Sequence, residues 1–383
     1  MSINNSSLHS LKEKKNSKKK PIPRPRPHSN SPILASIPTI PQSATSTSTS
    51  PSTSTSTSTS TSTSTLQSTP PETIEHIVIS GGNVYGFAFY GVLKNLHKKG
   101  VWNLSNIKTM YATSIGSIIS TIICLNYEWD IIDNFMLNRP LNQLINFDIS
   151  TVLSCVQNCG FLTIKVIEEY FYNLFTGKDL SPSITMLEFY EFTGIELHFF
   201  TTNVVGFQLI DLSYKTHPTW TMVEAMYASS AIFPFLSPFF KDEELYVDGG
   251  FLLNNPVSMC VSNIISLNIP VSKKVLSICL KKYVVPSKTR YLSVENYTIF
   301  TFFQEFVENI LTKLSLGGVN TVNNNYIKYL FDLDQDPTKA LDFNIYNNLQ
   351  ARKELIDQGI NAVEKWYIDL NFHTSSLQPL SEK

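Results

Sequence analysis

From Glu75 onward the chain alternates short apolar runs with stretches of helical spacing. Residues 75–79 read as a buried strand, Ser80-Gly81-Gly82-Asn83 as a turn, and Gly86 to Lys99 as a helix that Gly100 can cap. Ile107 to Ala112 reads as a second strand, with a tight turn at Thr113-Ser114 and a helix to about Asn126. Two strand–turn–helix units in succession predict parallel, right-handed βαβ connections. Helical spacing returns at Glu128 to Leu137, Thr163 to Phe175 and Thr221 to Tyr227. Strands are expected at Glu196 to Val204, Phe207 to Asp211, Leu245 to Val247 and Lys274 to Leu280, and Pro256 suits the first turn of a further helix. Beyond about residue 290 the pattern is helical, chiefly Tyr297 to Leu316 and Leu349 to Leu370. The expected fold is α/β, a mainly parallel sheet with helices on both faces and a helical C-terminal extension.

Composition separates this body from what precedes it. None of the 45 aromatic residues, 15 glycines or 5 cysteines lies in residues 1–70, which hold 9 of the 20 prolines and a nearly pure Ser/Thr tract from Thr45 to Thr65. Such a segment cannot bury enough apolar surface to offset its ordering entropy. The reading is therefore a disordered tail over 1–70, a folded domain over 71–290 and a helical C-terminal extension over 291–383. Charge follows the same division. The tail carries eight Lys/Arg and one Glu, net +7; the remainder holds 22 basic and 30 acidic residues, net −8, within a formal total of −1. An acidic body argues against a nucleic-acid partner. The basic run Lys12 to Arg26 suits an anionic lipid surface or an import signal, or simply a solvated, polyproline-like arm.

No apolar core follows Met1 as in a secretory leader, and the most apolar helical run, Ser117 to Leu125, is half the length of a membrane span. The expectation is an intracellular chain, soluble or peripheral to membranes, with reduced and mostly buried thiols. Cys155 and Cys159 lack a second Cys/His pair, so no metal site is expected.

Three turns carry candidate chemistry. Ser80-Gly81-Gly82-Asn83-Val84-Tyr85-Gly86 follows a strand and opens a helix, where converging backbone N–H groups suit a phosphate or an oxyanion. It lacks both G-x-G-x-x-G and a Walker lysine. Ala112-Thr113-Ser114-Ile115-Gly116 places a serine on a sharp strand-to-helix turn, the geometry of a nucleophile elbow or of a plain N-cap. Asp248-Gly249-Gly250, with Asn254-Asn255-Pro256 behind it, sets a carboxylate at a strand end. All three fall at carboxyl ends of expected strands, where open α/β sheets build their sites.

Together these motifs resemble the patatin-like phospholipases, whose pattern is a Gly-Gly-Gly-x-Arg/Lys-Gly loop, G-x-S-x-G and Asp-Gly-Gly/Ala. Ala228-Ser229-Ser230-Ala231-Ile232-Phe233-Pro234 is similar to the family as well, and the likeness runs from about Ile74 to Leu280. The resemblance implies a lipid acyl-ester hydrolase without cofactor or metal, releasing fatty acids from phospholipid or neutral lipid through a Ser–Asp dyad and an acyl-enzyme. Ser114 would be the nucleophile, Asp248 the base and Gly81, Gly82 and Asn83 the oxyanion loop, supported by Gly86, Ala112, Gly116, Gly249 and Gly250. Asn83, Tyr85 and Ala112 depart from the pattern, which leaves open an inactive lipid-binding relative. The chain order Ser114, Asp248, His373 leaves open a Ser-His-Asp esterase. His198 reads as a core histidine. The aromatics of Phe233 to Phe240 and Phe300 to Phe306 suit either the core or an acyl groove.

Overall fold

The computed structural model describes residues 73–139, 159–269, 272–281, 324–336 and 343–375. The chain divides into two units, Met1–Gln67 and Ser68–Lys383, and every described residue belongs to the second. The tail and the segments around Tyr297 to Leu316 and Phe300 to Phe306 therefore lie outside the described residues.

The second unit is built on an eight-stranded sheet. Its strands are β1 (His76–Ile79), β2 (Thr109–Thr113), β3 (Glu196–Asn203), β4 (Gln208–Leu212), β5 (Phe239–Lys241), β6 (Glu244–Asp248), β7 (Val275–Leu280) and β8 (Ile327–Leu333). They run β5-β6-β3-β2-β1-β7-β8, with β4 also paired to β3. The β3-β2-β1-β7-β8 stretch is parallel throughout, and β4, β5 and β6 join antiparallel. The helices are α1 (Gly86–Lys98), α2 (Ile115–Cys124), α3 (Trp129–Asn138), α4 (Lys165–Thr176), α5 (Met186–Thr193), α6 (Met222–Ser230), α7 (Val257–Ser266) and α8 (Leu349–Ser375).

Alternation along the strands divides the core by face, as a pleat of period two requires. Ile77, Ile79, Met110, Ala112, Leu197 and Phe199 point into the larger cluster, with Phe89 and Leu93 of α1 and Ile119 and Ile122 of α2. Val78, Tyr111 and Phe200 point the other way, onto Val257, Cys260, Val261 and Ile264 of α7. Helices thus cover both faces, and α5 and α6 begin in capping boxes, Thr185 with Glu188 and Thr221 with Glu224.

One reading gains an element and one needs correction. Beyond residue 290 the helix α8 is joined by a strand: β8 extends the sheet in parallel with β7, burying Phe331 and Leu333 while Leu330 and Asp332 face out. Of the described thiols, Cys124, Cys260 and Cys279 are buried but Cys159 is exposed. No helix among the described residues is long and apolar enough to cross a membrane.

Candidate active site

The site follows from how strands share the edges of β3. One edge is taken by β4, which pairs with Phe199–Asn203. The other edge is shared: β2 pairs with residues 196–200 and antiparallel β6 with residues 201–203. Thr113, the last residue of β2, lies opposite Phe200, and Asp248, the last of β6, lies opposite Thr201. The two strands meet carboxyl end to carboxyl end, and the residues that leave them are brought together from 134 positions apart in sequence.

Ser114 turns the chain from β2 into α2 with φ 54° and ψ −128°, a conformation that costs a non-glycine residue roughly 1–3 kcal/mol. Its surroundings hold it there. The Ser114 N–H donates to Ser229 Oγ at 3.0 Å, and that hydroxyl donates to Phe200 O at 2.7 Å. Its carbonyl accepts from Ser117 N and Ser117 Oγ at 2.8 and 2.7 Å. The side chain leaves the sheet, and Oγ donates to Asp248 Oδ2 at 2.5 Å.

Asp248 is 3% exposed. Its other oxygen, Oδ1, accepts from Gly250 N at 2.7 Å. Burial raises its pKa to about 6, against the opposing pull of the Ser114 and Gly250 hydrogen bonds. The backbone on both sides of the pair is close-packed. A Cβ on Gly249 would lie 2.1 Å from Phe200 O, and one on Gly116 2.5 Å from Ile79 O. Gly86, at the start of α1, faces Ile115 at the start of α2 in the same manner, and Ala112 is buried within β2.

The glycine loop lies across from Ser114. Gly81 is the contact point: a Cβ there would be 3.2 Å from Ser114 Cβ. Its N–H donates to Asn254 O at 2.9 Å, and its carbonyl accepts from Asn254 Nδ2 at 3.3 Å. The Gly81 donor is therefore occupied. The Gly82 and Asn83 N–H groups have no acceptor among the described residues, and they precede the N-terminus of α1, where the helix dipole favours negative charge. Asn83 takes φ 47°, the left-handed conformation its place in the loop demands. Tyr85, which stands where the resemblance leads one to expect a basic residue, is buried, and its hydroxyl accepts from Asp336 N at 2.5 Å.

Sequence reasoning missed Ser229 and Asn254 as parts of the site. Ser229 lies in the Ala228 to Pro234 run, and Asn254 in the Asn-Asn-Pro that follows the aspartate turn, but neither hydrogen-bond role is visible in one sequence. No histidine is among the described partners of Ser114 or Asp248. His198 is buried in the core. Burial alone would lower its pKa, but the Asp211 and Glu196 carboxylates outweigh that and raise it to about 9.

Comparison with known proteins adds an independent line. A family model described as patatin-like phospholipase matches residues 77–261. An uncharacterized protein of Acanthamoeba polyphaga mimivirus is 24% identical over 309 residues, 78% of this chain and 96% of that one. A probable lipid hydrolase of Invertebrate iridescent virus 6 is 25% identical over 194 residues, 51% of this chain and 66% of that one. Among solved structures, VipD from Legionella pneumophila superposes with a TM-score of 0.38 at 13% identity, covering 76% of this chain and 67% of that one. ExoU in its complex with SpcU from Pseudomonas aeruginosa gives 0.36 at 15% identity, over 77% and 52%.

Proposed function

The chain belongs, through its residues 77–261, to the patatin-like phospholipases, and on that premise we propose that it releases fatty acids from lipid esters through a Ser114–Asp248 dyad and an acyl-enzyme. Its reaction class, hydrolysis of carboxylic ester bonds in lipids, comes with the family. The observation that carries the finer reading is the 2.5 Å hydrogen bond from Ser114 Oγ to Asp248 Oδ2 across the abutting ends of β2 and β6.

In this reading Asp248 Oδ2 takes the Ser114 proton as Oγ attacks the ester carbonyl. The carbonyl π electrons move onto oxygen, and the Gly82 and Asn83 N–H groups receive that charge, each donor worth roughly 2.7–4 kcal/mol in comparable sites. Collapse of the intermediate expels the alcohol, which takes the proton from Asp248, and leaves Ser114 acylated. Water, deprotonated by Asp248, then attacks the acyl-enzyme, and fatty acid departs as Ser114 recovers its proton. Gly81 serves as the close-packed hinge of the loop, its own N–H held by Asn254 O. The basic tail would supply contact with anionic lipid.

Fatty-acid release from mixed micelles by wild type, Ser114→Ala, Asp248→Asn and His373→Ala tests this assignment. The first two variants are expected to lose at least about 10³-fold in kcat, and His373→Ala to keep the wild-type rate. Loss in the histidine variant sinks the dyad; a wild type that binds lipid but releases nothing sinks catalysis.

A further inference from the structure

Two residues that depart from the family's loop pattern, Asn83 and Tyr85, both reach the last fifth of the chain, beyond the matched domain. Asn83 Oδ1 accepts from Tyr346 Oη at 2.9 Å, and the Tyr85 hydroxyl is hydrogen-bonded to the backbone of Asp336. Tyr346 is itself fixed in place. Arg352, 5% exposed, donates from Nη1 to Tyr346 O at 2.9 Å and from Nη2 to Leu137 O at 2.6 Å. The Tyr346 ring lies 5.9 Å from that of Phe87, in the first turn of α1.

Helix α8 then runs against α1, whose N-terminus carries the loop. The two backbones touch at one glycine from each helix: a Cβ on Gly359 would lie 2.0 Å from Ala88 O, and one on Gly91 2.2 Å from Ile356 O. Asn95 Nδ2 donates to Ile360 O at 3.1 Å, which locks the register of the pair. Residues 343–375 therefore have a defined position relative to the loop, and the Tyr346 hydroxyl reaches the loop's strained residue.

We propose that Tyr346 is a positioning residue of the hydrolytic site: by donating to Asn83 Oδ1 it holds the left-handed backbone at Asn83, and with it the Gly82 and Asn83 N–H groups. The inference rests on the oxyanion role given to those groups above. Glycine enters φ near 47° at no steric cost, whereas asparagine pays a modest one that a hydrogen bond to its side chain offsets. The tyrosine hydroxyl thus substitutes for the conformational freedom that a third glycine gives.

The test uses the full chain, p-nitrophenyl butyrate as a soluble ester, and Tyr346→Phe, which keeps the ring on Phe87 and removes only the hydroxyl. The expected result is a fall in kcat of roughly tenfold or more, with KM changed less than about twofold and Tm lowered by no more than about 5 °C. In an Asn83→Gly background the same substitution should change kcat by less than about twofold, because the coupled partner is gone. A wild-type kcat in Tyr346→Phe overturns the proposal. So does an equal loss in both backgrounds, which would place the hydroxyl's effect elsewhere, and so does an Asn83→Gly enzyme without turnover, since glycine supplies the backbone by itself. Ser114→Ala separates the underlying reading: wild-type turnover there removes the dyad whatever Tyr346 does.

Discussion

Asp248 is held under conditions that suit a base and penalise the fold. Its carboxyl is buried, and its pKa is raised from 3.8 to about 6. A direct proton acceptor for serine is better near 6 than near 4, so kcat/KM should rise as pH climbs through about 6. The stability consequence has the opposite sign. Between pH 3.8 and 6 the native state binds the proton that the unfolded chain has released, so this group's favourable contribution is present at low pH and lost as pH rises through about 6. Asp248→Asn keeps an acceptor and a donor in place without the buried charge. It should be more stable than wild type at pH 7.5, by at most about 3 kcal/mol, with no difference near pH 3. Urea denaturation at both pH values measures this, and a less stable variant at pH 7.5 would show that the hydrogen bonds outweigh desolvation.

Elements decide which of these residues meet. The motifs at Gly81, Ser114 and Asp248 were legible one by one, because strand-end glycines and a serine between small residues leave a local trace. What brings them together is the division of one β3 edge between β2 and β6, a pairing between distant strands that no local pattern records. The same limit explains β8. Its run Ile-Lys-Tyr-Leu-Phe-Asp-Leu is short and apolar, which periodicity cannot assign between a strand and a buried helix. Tyr346 was invisible for a related reason, since its hydrogen bond to Asn83 joins residues far apart in sequence. Helix α5 carried a readable start in Thr185-x-x-Glu188, obscured by its eight-residue length. The crossing of α1 and α8 gives a test at this scale. Gly359→Ala forces a methyl onto the Ala88 carbonyl, so α8 must shift. Overpacking of this kind costs about 1–3 kcal/mol. Thermal melts should show that loss together with a lower kcat, and a Tm at or above the wild-type value would show that the helices slide apart freely.

At the scale of the whole molecule, the near-neutral charge averages two unlike parts, a +7 tail over residues 1–70 and a −8 body. A lipid hydrolase must reach esters at an interface, and an acidic body is repelled by the anionic headgroups of many membranes. On the proposal that the tail meets anionic lipid, its eight Lys/Arg, gathered between Lys12 and Arg26, would offset that repulsion by about 1 kcal/mol for each residue near the surface. Deletion of residues 1–30 should therefore weaken binding to phosphatidylserine vesicles at low ionic strength and leave hydrolysis of a soluble ester unchanged. Raising salt should erase the difference between the two proteins, because the attraction decays within a Debye length of roughly 10 Å at 0.1 M. Vesicle co-sedimentation across a salt series reads both effects. Equal binding by the truncated and full-length chains at low salt would assign membrane contact to the folded body instead.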